Sequence, residues 1–145
     1  MNHFKNLFLQ QSYNDNTDLF YELLSKEKHA GYRISESYWD YVILTASNEM
    51  QAVSYRKQIS LRIKDYRLPL TTQYAVLPDP DGKRVGSGGA TLNALRYLSE
   101  NAKKPFKELK VLLIHSGGDA KRTPQYSACG KIFSPVPRML PNGYR

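Results

Sequence analysis

Apolar residues fall into two patterns that alternate along the chain: short continuous runs, and positions three or four residues apart. Tyr41-Val42-Ile43-Leu44-Thr45-Ala46, Tyr74-Ala75-Val76-Leu77 and Val111-Leu112-Leu113-Ile114 are of the first kind. Short runs of this type, rich in β-branched residues, read as strands of a parallel sheet buried on both faces. Between the first two runs, Ala52, Tyr55, Ile59 and Ile63 recur at helical spacing. Ser47 or Asn48 suits the cap of that helix, because a short side-chain oxygen can accept one of its unpaired N–H groups. Between the second and third runs, Leu92, Leu95 and Leu98 predict a helix that begins near Ala90 and buries these leucines. Upstream, Leu19, Phe20, Leu23 and Leu24 share one helical face, with Asn16 or Thr17 as cap and Gly31 as stop. Residues 1–15, rich in Asn and Gln, read as a poorly fixed arm. The cluster from Pro78 to Gly82 is turn-forming, and Lys103, Lys104 and Pro105 read as an exposed link. Strand–helix–strand–helix–strand predicts an α/β fold with a parallel sheet and right-handed crossovers. The expected division is an arm and helix over 1–37, then one domain over 38–145.

Two glycine-rich stretches punctuate this pattern. The first is Arg84-Val85-Gly86-Ser87-Gly88-Gly89-Ala90-Thr91-Leu92, leading into the second helix. Its glycines remove side chains where a phosphate would approach, and the helix start adds unpaired N–H groups and a positive dipole end. It lacks the Gly-Lys-Ser/Thr ending of a P-loop, and it does not fit a dinucleotide fingerprint cleanly. The second is His115-Ser116-Gly117-Gly118-Asp119-Ala120-Lys121-Arg122, at the carboxyl end of the third strand. Ligands of open α/β sheets sit at that end. Arg122 follows Gly118 by four residues and Lys131 lies nine further on, so two cations are within loop reach of the turn. A di- or triphosphate is the partner this chemistry suits.

Charge agrees with that reading. Residues 1–40 hold four Lys/Arg against six Asp/Glu, a net of −2, while residues 41–145 hold seventeen against seven, a net of +10. The basic residues are scattered, without a basic run interleaved with aromatics, which argues against nucleic acid. No apolar run approaches a membrane span, and the amino terminus lacks a signal-peptide core. The single Cys129 cannot form an internal disulfide. A soluble, cytoplasmic protein is expected.

The second stretch resembles the signature of sugar-nucleotide pyrophosphorylases: strand, Gly-Gly, three residues, Arg, then a Lys followed by Pro-Val. Gly117-Gly118, Arg122, Lys131 and Pro135-Val136 stand at matching positions, with Ala120 and Gly130 where the wider family has glycine and proline. The two stretches together, over roughly residues 38–138, resemble the L-fucokinase/GDP-fucose pyrophosphorylase family. That resemblance implies a Rossmann-like, mostly parallel sheet flanked by helices, of the nucleotide-diphospho-sugar transferase kind and here incomplete. It implies the joining of L-fucose 1-phosphate to GTP, with Mg²⁺ as cofactor, its ligands outside this chain, and a GHMP-type kinase domain elsewhere in the polypeptide. It also implies that the fragment is inactive alone. Two alternatives remain at this point: a sugar kinase, and a non-catalytic phosphate- or RNA-binding module.

In such a transfer the protein supplies positioning and positive charge rather than a covalent nucleophile. Backbone N–H groups from Gly86, Ser87, Gly88, Gly89, Ala90 and Thr91, and from Gly117 and Gly118, are the expected nucleotide-binding set. Arg122, with its forked guanidinium on the β/γ-phosphates, and Lys131, a mobile charge near the α-phosphate, are the expected catalytic pair. Lys121 reads as solvated, Asp119 as a loop cap and Tyr126 as a weak candidate for base stacking. His115 and Trp39 read as core residues. His3 and His29 have no metal-like partner spacing.

Overall fold

The computed structural model describes residues 11, 14–22, 24–25, 39–116 and 131–133, of Lys131 the backbone only. Three strands form a parallel sheet: β1 (Tyr41–Ala46), β2 (Gln73–Pro78) and β3 (Val111–Ile114), in the order β2-β1-β3. Tyr41 of β1 is level with Gln73 and with Val111, and Leu44 with Val76 and Ile114. Two helices connect them, α1 (Glu49–Lys64) and α2 (Gly86–Asn101).

Alternation along β1 decides which helix meets which face. Leu44 and Ala46 pack with Val76 and with Ala52, Tyr55 and Ile59 of α1. Tyr41 and Ile43 point the other way, to Ala75 and to Ala94 and Leu98 of α2. Helices on opposite faces are what two crossovers of one hand require when β2 and β3 flank β1 from opposite sides. Ile43 is wholly buried at the centre of this sandwich, where removing it to alanine costs about 2–5 kcal/mol. The sequence expectation of an α/β fold with a parallel sheet flanked by helices therefore holds.

Several local expectations are corrected. Leu92 and Leu95 are 68% and 45% exposed, and α2 instead buries Ala90, Ala94 and Leu98. Small side chains let the helix lie close on the sheet, which leaves the two leucines on its outer side. β3 is half-buried rather than buried, because its second edge has no neighbour among the described residues. Trp39, expected in the core, is 47% exposed just before β1 and lines an apolar groove instead. Upstream, residues 14–22 are helical, so Asn16 and Thr17 lie inside that helix rather than at its start. Leu24 is buried while Leu19 is exposed. Gly31 and residues 1–10 lie outside the described residues.

Candidate functional site

All three strands end on the same side of the sheet, and β1 is the point at which the chain switches from one flank to the other. Open α/β sheets bind ligands outside the carboxyl ends of strands at such a point. There the structure has a crevice of about 250 Å³ lined by Thr45, Asp79, Arg84, Gly86, Ser87, Ala90 and His115. Each strand contributes one wall: Thr45 from β1, Asp79 just after β2, and His115 just after β3. Asp79 is fixed there by its own N–H, which donates to the Ala46 carbonyl at 2.8 Å.

The fourth wall is the start of α2. Helical residues begin at Gly86, four positions earlier than the leucine spacing predicts, so the expected loop is largely the helix's first turn. Gly86 makes this entry possible, because its φ of +68° is one that side-chain-bearing residues rarely adopt. No side chain caps this end. The other glycines have different reasons. A Cβ at Gly88 would meet nothing, whereas one at Gly89 would lie 2.6 Å from the Cβ of Val85. Gly89 is therefore a packing requirement of the turn, not a space left for a ligand. Ala90 is buried on the sheet, and the Thr91 hydroxyl donates to the Ser87 carbonyl at 2.9 Å.

His115 corrects the sequence reading most directly. It is exposed at the crevice, with Nε2 3.4 Å from the Thr91 oxygen. Since that hydroxyl spends its proton on Ser87, its oxygen is left as acceptor, and the imidazole donates from Nε2. This contact joins the end of β3 to the first turn of α2. Period-two alternation carried one residue past β3 puts His115 on the α2 face, in line with Val111 and Leu113. That signal was available in the sequence.

The next residue is pinned from three directions. Ser116 donates its N–H to the Thr45 hydroxyl at 3.1 Å and its own hydroxyl to the Thr45 carbonyl. Its carbonyl accepts from the Tyr55 hydroxyl at 3.1 Å. Gly117, Gly118 and Arg122 lie outside the described residues, as do Asp119, Lys121, Tyr126, Cys129, His3 and His29. Lys131 opens a short 3-10 turn, Lys131–Phe133, and its side chain is likewise outside. Of the expected nucleotide-binding residues, Gly86, Ser87 and Ala90 are thus brought to one crevice, Thr91 stands behind it, and Gly88 and Gly89 belong to the same turn.

The opposite end of the sheet is built differently. Asp40 accepts from Lys104 Nζ at 2.7 Å and from the Lys110 N–H at 2.9 Å, so its carboxyl is held below the usual carboxylate range by Lys104 first and Lys110 second. That ion pair ties the start of β1 to the segment entering β3. Among the described residues, no helix is long and apolar enough to cross a membrane, and no group of three or more His, Cys, Asp or Glu is placed to hold a metal.

Residues 103–144 match the model of a family described as the fucose pyrophosphorylase domain. The chain is 45% identical over 118 residues to a fucose-1-phosphate guanylyltransferase of Mus musculus, a match covering 81% of this chain and 19% of the relative. It is 44% identical over 100 residues to the Homo sapiens protein of that name, covering 69% and 16%. With a bifunctional fucokinase/GDP-fucose pyrophosphorylase of Arabidopsis thaliana it shares 37% over 119 residues, covering 68% and 11%. No solved structure matches the chain significantly. The chain spans less than a fifth of the length of each of these relatives. By sequence, then, the chain is similar to proteins of the fucose pyrophosphorylase family.

Proposed function

We propose that this chain forms the nucleotide-binding part of an enzyme that joins L-fucose 1-phosphate to GTP, releasing pyrophosphate and giving GDP-L-fucose. The observation that carries this reading is the crevice itself: an uncapped, glycine-rich helix start opening on the switch point of a parallel sheet, with Arg84 and His115 on its walls. Guanine and fucose come from the names of the relatives, which are guanylyltransferases acting on fucose 1-phosphate.

In the reaction a phosphate oxygen of the sugar phosphate attacks the α-phosphorus, and the bond from that phosphorus to the bridging α–β oxygen breaks. The nucleophile is already an anion, so no base has to take a proton from it. What the protein must do is hold the triphosphate and offset the charge gathering on its oxygens. The first turn of α2, from Gly86 to Thr91, offers backbone N–H groups and the positive end of the helix. Gly117 and Gly118 do the same from the end of β3, Arg122 grips the β/γ-phosphates through two parallel bonds, and Lys131 serves the α-phosphate.

The donors present fit a Mg²⁺ that is held mainly by the substrate's phosphates, with few protein ligands. Asp79, on the crevice wall, would add one carboxylate to protein ligands that otherwise lie outside this chain. When bound, the ion neutralises phosphate charge. The polypeptide is proposed to work in the cytoplasm, with a GHMP-type kinase domain beside this one. Titration calorimetry with GTP tests the reading. Binding should saturate, depend on magnesium and weaken at least tenfold in Arg122→Ala, the loss of a charged, forked contact. Binding that ignores the base and falls steeply with salt would instead mark a general polyanion or RNA surface.

A further inference from the structure

His115 follows β3 directly and is held on both sides along the chain. Ile114 before it is level with Leu44 in the sheet, and Ser116 after it donates its N–H to the Thr45 hydroxyl at 3.1 Å. A fixed backbone thus delivers the imidazole to the crevice, where the residue is exposed. Thr91 steadies the ring itself, since Nε2 lies 3.4 Å from the hydroxyl oxygen. The second ring nitrogen, Nδ1, has no partner among the described residues. The bond made by one nitrogen of an imidazole sets what the other can do. Here one nitrogen is occupied by the protein and the other is left for a ligand.

The neighbours decide what kind of ligand that is. Thr45 of β1 is uncharged. Asp79 after β2 and Arg84 before α2 are the charged side chains that share the crevice, one of each sign. The start of α2 adds the positive end of a helix, with no side-chain cap and no acid in its first turn. Histidine is the side chain whose charge changes between about pH 5 and 8. A polyanion entering a partly walled site attracts a cation there more strongly than it would in open water, so its arrival favours the imidazolium. That form has a donor on each nitrogen, Nε2 for Thr91 and Nδ1 for a phosphate oxygen.

We propose that His115 is a phosphate contact of the nucleotide site that binds as the imidazolium, so that the crevice takes up a proton when it takes up the nucleotide. The proton comes from solvent, sits on Nδ1 and returns to solvent when the nucleotide leaves; no covalent bond is made or broken. The inference rests on the proposed function and deepens it, because occupancy of the site becomes pH-sensitive: tighter as pH falls through the histidine range, weaker as it rises.

Calorimetry with magnesium and GTP tests this in the parent chain, His115→Gln and Thr91→Val, at about pH 6 and about pH 8, with thermal melting of each sample alongside. The parent should bind about five- to tenfold more tightly at the lower pH, the scale of one partly exposed, charge-assisted hydrogen bond. Titrations in two buffers of different ionisation enthalpy should register a proton taken up. His115→Gln should weaken binding at the lower pH by a similar factor and lose the proton uptake. The nucleotide's own titration cancels in this comparison, because both proteins meet the same ligand. Thr91→Val removes the bond that steadies the ring but keeps the imidazole, so its pH dependence should persist. A histidine that merely ties β3 to α2 would make the two variants alike, each with a lower melting temperature and the parent's pH profile, which overturns the proposal. Identical pH profiles in the parent and His115→Gln overturn the inference and leave the functional reading in place. A parent that binds no GTP at either pH overturns that reading and this inference with it.

Discussion

The two helices begin at the same end of the same sheet and treat their first turns in opposite ways. At α1, Asn48 accepts from the Gln51 N–H at 2.9 Å, and Gln51 in return accepts from the Ser47 N–H at 2.8 Å. The protein satisfies those donors with its own side chains, and Glu49 complements the dipole. At α2 the residue before the helix is Val85, no side-chain cap forms and no acid occupies the first turn. A helix end of that kind is left for water or for an anion from outside. The comparison separates a helix start satisfied by the protein's own side chains from one left open, as the proposed nucleotide site requires. It also explains why the second lies on the crevice with Asp79, Arg84 and His115.

Substitutions at the two starts should therefore have different signatures. The largest effect is expected for Gly89→Ala. Its new Cβ would sit 2.6 Å from the Cβ of Val85, an atom too close to the backbone to swing aside. Overpacking of this kind costs about 1–3 kcal/mol, and displacement of the turn should also cut GTP affinity more than tenfold. Melting and calorimetry on one sample check both. Asn48→Ala should come next in stability, at about 1 kcal/mol from the lost cap, while GTP affinity stays as it was. If affinity fell with it, the two helix starts would not be functionally distinct. Gly88→Ala should be smallest and of opposite sign in the two readouts. The site is open and the backbone there needs no glycine, so alanine should stabilise the helix by about 0.5–1 kcal/mol. GTP should nonetheless bind several-fold more weakly if phosphate approaches that backbone. A stabilised variant with undiminished binding would remove Gly88 from the contact set.

Much of the fold was legible because the relevant signals were local and agreed with one another. Tyr41–Ala46 is a β-rich run closed by Ser47-Asn48, and the capped helix behind it carries Ala52, Tyr55 and Ile59 at core spacing. The misreadings arose where packing, not hydrophobicity, decided. Leu92 and Leu95 are as apolar as the buried Leu98, yet Ala90 and Ala94 face the sheet with it because close approach favours small side chains. The three glycines of the first stretch looked like a single device. They are three: a left-handed φ at Gly86, open space at Gly88 and contact with Val85 at Gly89. His115 adjoins a buried-type run, which suggests core, although its parity aligns it with the α2 face and it is exposed. The bond from Tyr55 to Ser116 and its ring contact with Phe133 join residues far apart in sequence, and no local pattern announces them.

The most direct measurement is a nitrogen-15 chemical-shift titration of the chain with GTP and magnesium, reading the amides of the two helix starts side by side. Saturable shifts are expected at Gly86, Ser87, Gly88, Gly89, Thr91 and His115, with Asn48, Glu49 and Gln51 unmoved. Shifts at the α1 start, or at the Asp40–Lys104 end of the sheet, with none at Gly86 to Gly89, would contradict it.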